Sequence, residues 1–280
     1  FSESFIEKQR GQFKRLGVLA DWNREYRTMD PGYEAVILRT FAEFVDKGFV
    51  YRSKKPVYWS IPCRTALAEA EVEYQTHVSP AIHVKFAVRE SGEFFAGENA
   101  FLVIWTTTPW TIPANLAIAV NPRETYVEVK CKGDSYWVGA SLADKFVESC
   151  ELEHHELGHE LPGKSLVGWI ARHPFIDRDS PVVAADYVTM DAGTGCVHTA
   201  PGHGLDDYLT GLANGMDVYC PLDDAGRYLD DGQVPASLVG LSVLETKKGC
   251  EANNGVLDLL REHGGLLHLE HHSHQYPHCW

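Results

Sequence analysis

The chain has 280 residues, 44% hydrophobic and 23% charged, and a formal net charge of -14 at pH 7. That balance suits a globular protein with one large core or two domains, and the acidic total argues against a broad basic cradle for nucleic acid. No apolar run reaches the roughly 20 residues that a membrane-spanning helix needs. No signal peptide is visible, and with Phe1 in place of an initiator Met the chain is expected to be a piece of a longer one. The seven cysteines are scattered with no C-x-x-C pair. An odd, unpaired set favours free thiols in a reducing, cytoplasmic compartment.

In chain order, Phe5, Ile6, Gln9, Phe13 and Leu16 fall at helical spacing, and Gly17 stops the helix they predict. Asp30 with Pro31 opens a second helix. Val36, Ile37, Phe41, Phe44 and Val45 mark its expected buried face, and Gly48 ends it. Short strands are predicted at Phe49–Tyr51 and Val57–Trp59. This alternation suggests an α/β unit too small to stand alone. Past residue 66 the pattern becomes β-rich, with runs at 82–88, 101–107, 116–120, 126–131, 136–138 and 182–184. Such short, regularly spaced strands suggest a barrel-like or sandwich domain. Helices are expected at 141–148 and 256–263.

Two stretches carry most of the information. FLVIWTTTPWTIPAN (Phe101–Asn115) starts with a continuous apolar run, as in a strand buried on both faces. Thr106, Thr107 and Thr108 follow, and Pro109 halts further ladder pairing. A buried strand thus ends in a hydroxyl cluster, a place to hold a polar ligand or simply a threonine-rich turn. In GTGCVHTAPGHGLDDYLTGLANG (Gly193–Gly215), Cys196–Thr199 reads as a strand, and a helix is expected from Leu205 to Asn214. Asp206 and Asp207 point about 100° apart on that helix. One can cap it, while the other can face whatever lies beside His198 and hold an ammonium group. His203 reads as a structural histidine. No phosphate-binding glycine loop is present.

These residues resemble class I aminoacyl-tRNA synthetases of the isoleucyl branch, centred on their inserted editing domain. LGVLADWNREYRTMDPGYEAV and KGFVYRSKKPVYWS look like the catalytic domain before the insertion, and LAEAEVEY looks like the lead-in. WTTTPWTIPANLAIAVNP and GTGCVHTAPGHGLDDY look like the two editing signatures. YCPLDDAGRY matches further on, and HSHQYPHCW looks like the return. Valyl and leucyl relatives are expected to carry arginine and an acid where Thr108 and Trp110 stand. The resemblance implies a mixed α+β chain: a β-rich, barrel-like editing domain over residues 66–268, inserted into a partial α/β, Rossmann-like catalytic domain. Residues 1–65 and 269–280 would belong to the latter.

The implied activity is hydrolysis of mischarged Val-tRNA(Ile), within a ligase that charges tRNA(Ile) with isoleucine using ATP. A pocket extracts only about 1–3 kcal/mol from one methylene, so a second, smaller pocket is needed; this is a standard illustration of double-sieve editing. Asp207 would bind the substrate α-ammonium. Thr106, Thr107 and Thr108 would serve the ester, the attacking water and the terminal ribose. Trp110 and His198 would wall the side-chain pocket, and Asn115 would add a supporting hydrogen bond. Editing would need no cofactor. ATP with magnesium would serve the full-length parent, whose HIGH-type and KMSKS-type motifs do not occur here. The implied partners are the aminoacylated 3′ end of tRNA(Ile) and the remaining catalytic and anticodon-binding parts of the parent, with no membrane.

Two other readings stand beside this one. The chain can be a module that binds charged tRNA ends without hydrolysing them, since its acidic total leaves tRNA affinity to other parts. It can also be a metal-dependent hydrolase, because His263, His268, His271, His272, His274 and His278 crowd its end beside Cys279. The histidine spacings match no known ligand pattern, and LEHHSHQYPHCW reads as a solvated strand and loop. Cys63 and Cys279, each alone at a junction, cannot assemble a four-thiolate zinc site. Lys54 with Lys55, and Lys247 with Lys248, read as solvated surface.

Overall fold

The structure, a computed structural model, describes residues 1–92, 94, 99–247 and 249–279. Lys248 and Trp280, both named above, lie outside the described residues. The chain divides into two units, Phe1–Ser53 and Lys54–Trp280.

The first unit holds α1 (Ser2–Arg15) and α2 (Pro31–Asp46). Both helices form where the periodicity placed them. Gly17 and Gly48 take φ of 76° and 74° just past their ends, a left-handed stop that glycine adopts without strain. The predicted buried face is corrected: Val36, Ile37, Phe41, Phe44 and Val45 are all exposed. Periodicity specifies which side of a helix is apolar, whereas burial requires a second layer to cover it. The strand expected at Phe49–Tyr51 does not form. Among the described residues this unit has no paired strand, so the α/β reading finds no sheet there.

The second unit begins with a short hairpin, β1 (Trp59–Ser60) and β2 (Thr65–Ala66). Its main sheet contains β3 (Val72–Glu90), β4 (Ala100–Thr106), β5 (Ala117–Val120), β6 (Thr125–Cys131) and β7 (Asp134–Gly139). The helix α3 (Ala143–Ser149) is followed by β8 (Glu156–Pro162), β9 (Ile170–Arg172), β10 (Asp179–Ala184) and β11 (Cys196–Thr199). Two helices, α4 (Leu205–Ala213) and α5 (Glu251–Glu262), precede β12 (Leu266–Cys279).

Among the described residues the sheet has ten strands in the order β11-β5-β10-β9-β3-β4-β7-β6-β8, with β12 paired to β3. Only β4–β7 and β5–β10 are parallel. The path is open, because β11 and β8 pair with other strands and not with each other. The barrel-like expectation is corrected accordingly to a mixed sheet that does not close. Exposed β8 supplies one edge, with six of its seven residues solvent-facing.

β4 is buried on both faces, as its continuous apolar run requires. Leu102 and Ile104 enter the main core with Ile82, Val84, Phe86, Trp137 and the inner face of α5 (Val256, Leu257, Leu260). Val103 points the other way, into a second core with Val127, Val129, Val138 and Phe146. The strand is thereby fixed in register and depth, and so is the threonine cluster at its end.

Candidate functional site

Thr106 is the last residue of β4, opposite Ile82 of β3. Thr107 and Thr108 leave the sheet half-buried, and Pro109 opens a 3-10 turn, Pro109–Ala114. The turn contains Pro113 and leaves many backbone groups without ladder partners. Side chains from distant segments take them up. The N–H of Trp110 donates to Asn253 Oδ1 on α5 at 3.0 Å, and its carbonyl accepts from the Tyr228 hydroxyl. His173 Nε2 donates to the carbonyl of Ile112 (2.9 Å), and Arg178 Nη1 donates to the carbonyls of Pro113 and Asn115 (3.0 and 2.9 Å). This anchoring fixes the peptide that bears the threonines before any ligand arrives.

Thr111 links the turn to β11. Its hydroxyl donates to the carbonyl of Thr108 (2.8 Å) and lies 2.9 Å from His198 Nε2. A hydroxyl has one proton and a carbonyl can only accept, so Nε2 of His198 must carry a hydrogen. Nδ1 is then a bare acceptor, and it is buried with no partner among the described residues. His198 itself is 8% exposed. Burial, with His203 as a smaller neighbouring influence, pushes its pKa down to about 4, so the ring is neutral at ordinary pH.

One residue beyond β11, the N–H of Ala200 donates to Asp207 Oδ2 at 3.0 Å, and the Tyr187 hydroxyl stands 3.5 Å from Oδ1. Burial raises the Asp207 carboxyl to about 6; the Ala200 N–H offsets part of that and the nearby Asp206 charge adds to it. Neither aspartate caps α4, whose N-cap is Gly204 without a side-chain bond. Asp206 is exposed, while Asp207 folds back onto the turn before the helix. A Cβ at Gly204 would lie 3.1 Å from the Asp207 carboxyl carbon, and one at Gly202 would collide with the carbonyl of Tyr219. Gly202 therefore requires glycine for close approach, while a side chain at Gly204 would press on the Asp207 carboxyl.

Three of the predicted residues are thus linked in one run: Thr108 to Thr111, Thr111 to His198, then along β11 to Ala200 and Asp207. Trp110 is half-buried, with its ring edge-on to His203 at 5.2 Å. Asn115 has another place. It is fully buried, its Nδ2 donates to Ala117 O (2.8 Å) and its Oδ1 accepts from Ser180 (2.6 Å). Through these two bonds it ties the turn to β5 and β10. Thr111, Tyr187, Tyr228, Asn253 and His203 complete the site. Thr111 was legible as a fourth hydroxyl in the same peptide, His203 lies in the second signature and Tyr228 closes YCPLDDAGRY, but Tyr187 and Asn253 carry no local signal.

The chemistry these groups permit follows from their bonds. Thr106 Oγ1 accepts from the N–H of Thr108 (3.1 Å), which leaves its own proton to donate. Asp207 is a half-buried carboxyl whose described partners are hydrogen-bond donors and no cation. Such a group gains most from a ligand ammonium.

The terminal histidines lie elsewhere, His263 at the end of α5 and the others along β12. His272 packs against Trp105 at 5.4 Å, His274 neighbours His77 and Tyr276, and His77 Nε2 pairs with Glu245 at 3.0 Å. Among the described residues no group of three or more His, Cys, Asp or Glu is arranged to hold a metal ion. Lys54, Lys55 and Lys247 are exposed.

Residues 1–209 match the family described as tRNA synthetases class I (I, L, M and V). Over its whole length the chain is 48% identical, across 285 residues, to an isoleucine–tRNA ligase of Nitratidesulfovibrio vulgaris strain DP4. It is 46% identical, across 281 residues, to one of Fervidobacterium pennivorans, and it spans 29% of the length of each relative. Among solved structures, GlLeuRS-CP1 aligns at a TM-score of 0.47 and 18% identity, over 66% of this chain and 97% of that one.

Proposed function

This chain belongs to the class I tRNA synthetases of the I, L, M and V group, and on that premise we propose that its larger unit hydrolyses the ester of valine mischarged onto tRNA(Ile). Residues 66–268 would form this editing domain. Residues 1–65 and 269–280 would be catalytic-domain segments of an isoleucine–tRNA ligase working with ATP and magnesium in the cytoplasm. The observation that carries the reading is the hydrogen-bonded run from Thr108 through Thr111 to His198 and on to Ala200 and Asp207. It ties a hydroxyl cluster to an ammonium-binding carboxyl from a segment about a hundred residues away in sequence.

In this reading Asp207 binds the α-ammonium of the aminoacyl group and so fixes its carbonyl. Thr106, Thr107 and Thr108 present hydroxyls to the ester carbonyl, the attacking water and the terminal ribose. Trp110 and the neutral His198 wall the side-chain pocket and limit its size. The low basicity of His198 suits a wall and a hydrogen-bond acceptor better than a general base. Attack by an oriented water, without a covalent intermediate, then relies on positioning and on donors already in place. Editing needs no metal or cofactor in this scheme.

The test is deacylation of Val-tRNA(Ile) and Ile-tRNA(Ile) by the chain. Faster loss of the valyl ester supports the reading, and no turnover of either ester refutes it. A second reading, a module that binds charged tRNA ends without turnover, is favoured by the net charge of -14. Saturable binding with no hydrolysis would select it.

A further inference from the structure

We infer that Asn253 and Tyr228 are positioning residues that set the amino-acid preference of the editing site by fixing Trp110; this rests on the function proposed above. Trp110 is the second residue of the 3-10 turn, where a backbone N–H has no partner within its own turn. Asn253, 143 positions away on α5, supplies that partner at 3.0 Å. Tyr228, 118 positions away, donates its hydroxyl to the carbonyl of the same residue. The N–H and the carbonyl of Trp110, in the two peptide units that flank its Cα, are thus clamped by side chains from separate segments, and the ring is braced edge-on by His203.

The clamp is anchored in the core. Tyr228 is 3% exposed, and α5 is held by fully buried Ala252, Val256 and Leu260. Asn253 stands in the first turn of α5, where its own N–H bonds to the thiol of Cys250, the helix N-cap. Asparagine is a poor helix former. Its side chain here serves the other element, not its own helix. A pocket that separates two side chains differing by one methylene depends on wall placement finer than a carbon–carbon bond, and a well-packed wall transmits such a shift. The position of Trp110 is governed by α5 and the Tyr228 segment, outside both signature peptides.

The experiment compares kcat/KM for Val-tRNA(Ile) and Ile-tRNA(Ile) in the wild-type chain and in Asn253→Leu, Asn253→Asp and Tyr228→Phe. Asn253→Leu removes the acceptor at similar volume, Asn253→Asp keeps it, and Tyr228→Phe removes only the hydroxyl. The valyl-to-isoleucyl ratio is expected to fall at least tenfold in Asn253→Leu and severalfold in Tyr228→Phe, through a lower isoleucyl KM, and to recover in Asn253→Asp. An unchanged ratio in folded Asn253→Leu, or in Tyr228→Phe should the former not fold, overturns the clamp and leaves the editing function standing. A wild-type chain that hydrolyses neither ester overturns both.

Discussion

Asp207 is the residue on which the proposed chemistry turns, and its environment gives it a measurable signature. Its folded-state pKa of about 6 lies above the ordinary 3.8 because of burial. A carboxyl raised in this way holds its proton more tightly when folded. It therefore costs no stability below about pH 4 and progressively more as pH rises through about 6. Asp207→Asn should flatten the fall in melting temperature across that window; equal slopes in variant and wild type would show that another group titrates there. An ammonium ligand pairs only with the ionised acid, so valyl-ester hydrolysis should rise with pH through the same range. Asp207→Ala should lose about ten- to hundredfold in valyl kcat/KM, the worth of a hydrogen-bonded charge. Equal rates for wild type and variant would remove its assigned role. Shrinking His198 to Ala should relax the exclusion of isoleucine, read as a rise in isoleucyl-ester hydrolysis, and unchanged discrimination would move the sieve to another wall. Sequence placed these residues in two short peptides, and the resemblance those peptides carry implied their roles. It could not locate Tyr187 or Asn253, which contribute one hydrogen bond each from segments of unremarkable pattern, and it gave no role to Tyr228 although YCPLDDAGRY ends there.

At the level of elements, strong local patterns translated directly. The apolar run of β4, the four residues of β11 and the glycine-bounded α4 lie where periodicity and stop signals put them. The longest strands were the least legible. β3 runs from Val72 to Glu90 and pairs along β12 from Val84 to Val72, yet much of both strands is polar and rich in histidine. Their stability comes from a partner some 200 positions away, which no window along the chain contains. The 3-10 turn was hidden for a related reason, since its carbonyls are satisfied by His173, Arg178 and Tyr228 rather than by neighbours. The turn between β11 and α4 is a test of element placement. Gly202→Ala would force the turn off the carbonyl of Tyr219, and such overpacking should cost about 1–3 kcal/mol. Urea denaturation measures it, and an unshifted midpoint would mean the turn yields freely.

For the molecule as a whole, charge decides how a polyanion approaches. A protein that neutralises phosphates through many lysines and arginines loses affinity steeply with salt, whereas this chain carries 39 acidic against 25 basic side chains. The apparent KM for charged tRNA should therefore stay flat or fall between about 50 and 200 mM salt, as screening relieves repulsion; a steep rise would reveal a basic track that the overall balance conceals. With no HIGH-type or KMSKS-type motif in its sequence, the 280-residue chain should also show no isoleucine-dependent exchange of pyrophosphate into ATP, and measurable exchange would contradict the assignment of that step elsewhere. The pairing of Val72 with Cys279 has a practical corollary. Opposed residues of an antiparallel pair sit about 5 Å apart, so the polypeptide departs from residues 72–279 through two adjacent exits. A short bridge could ligate those exits into a ring. Head-to-tail cyclised 72–279 should melt above its linear counterpart, because the bridge removes freedom only from the unfolded ring.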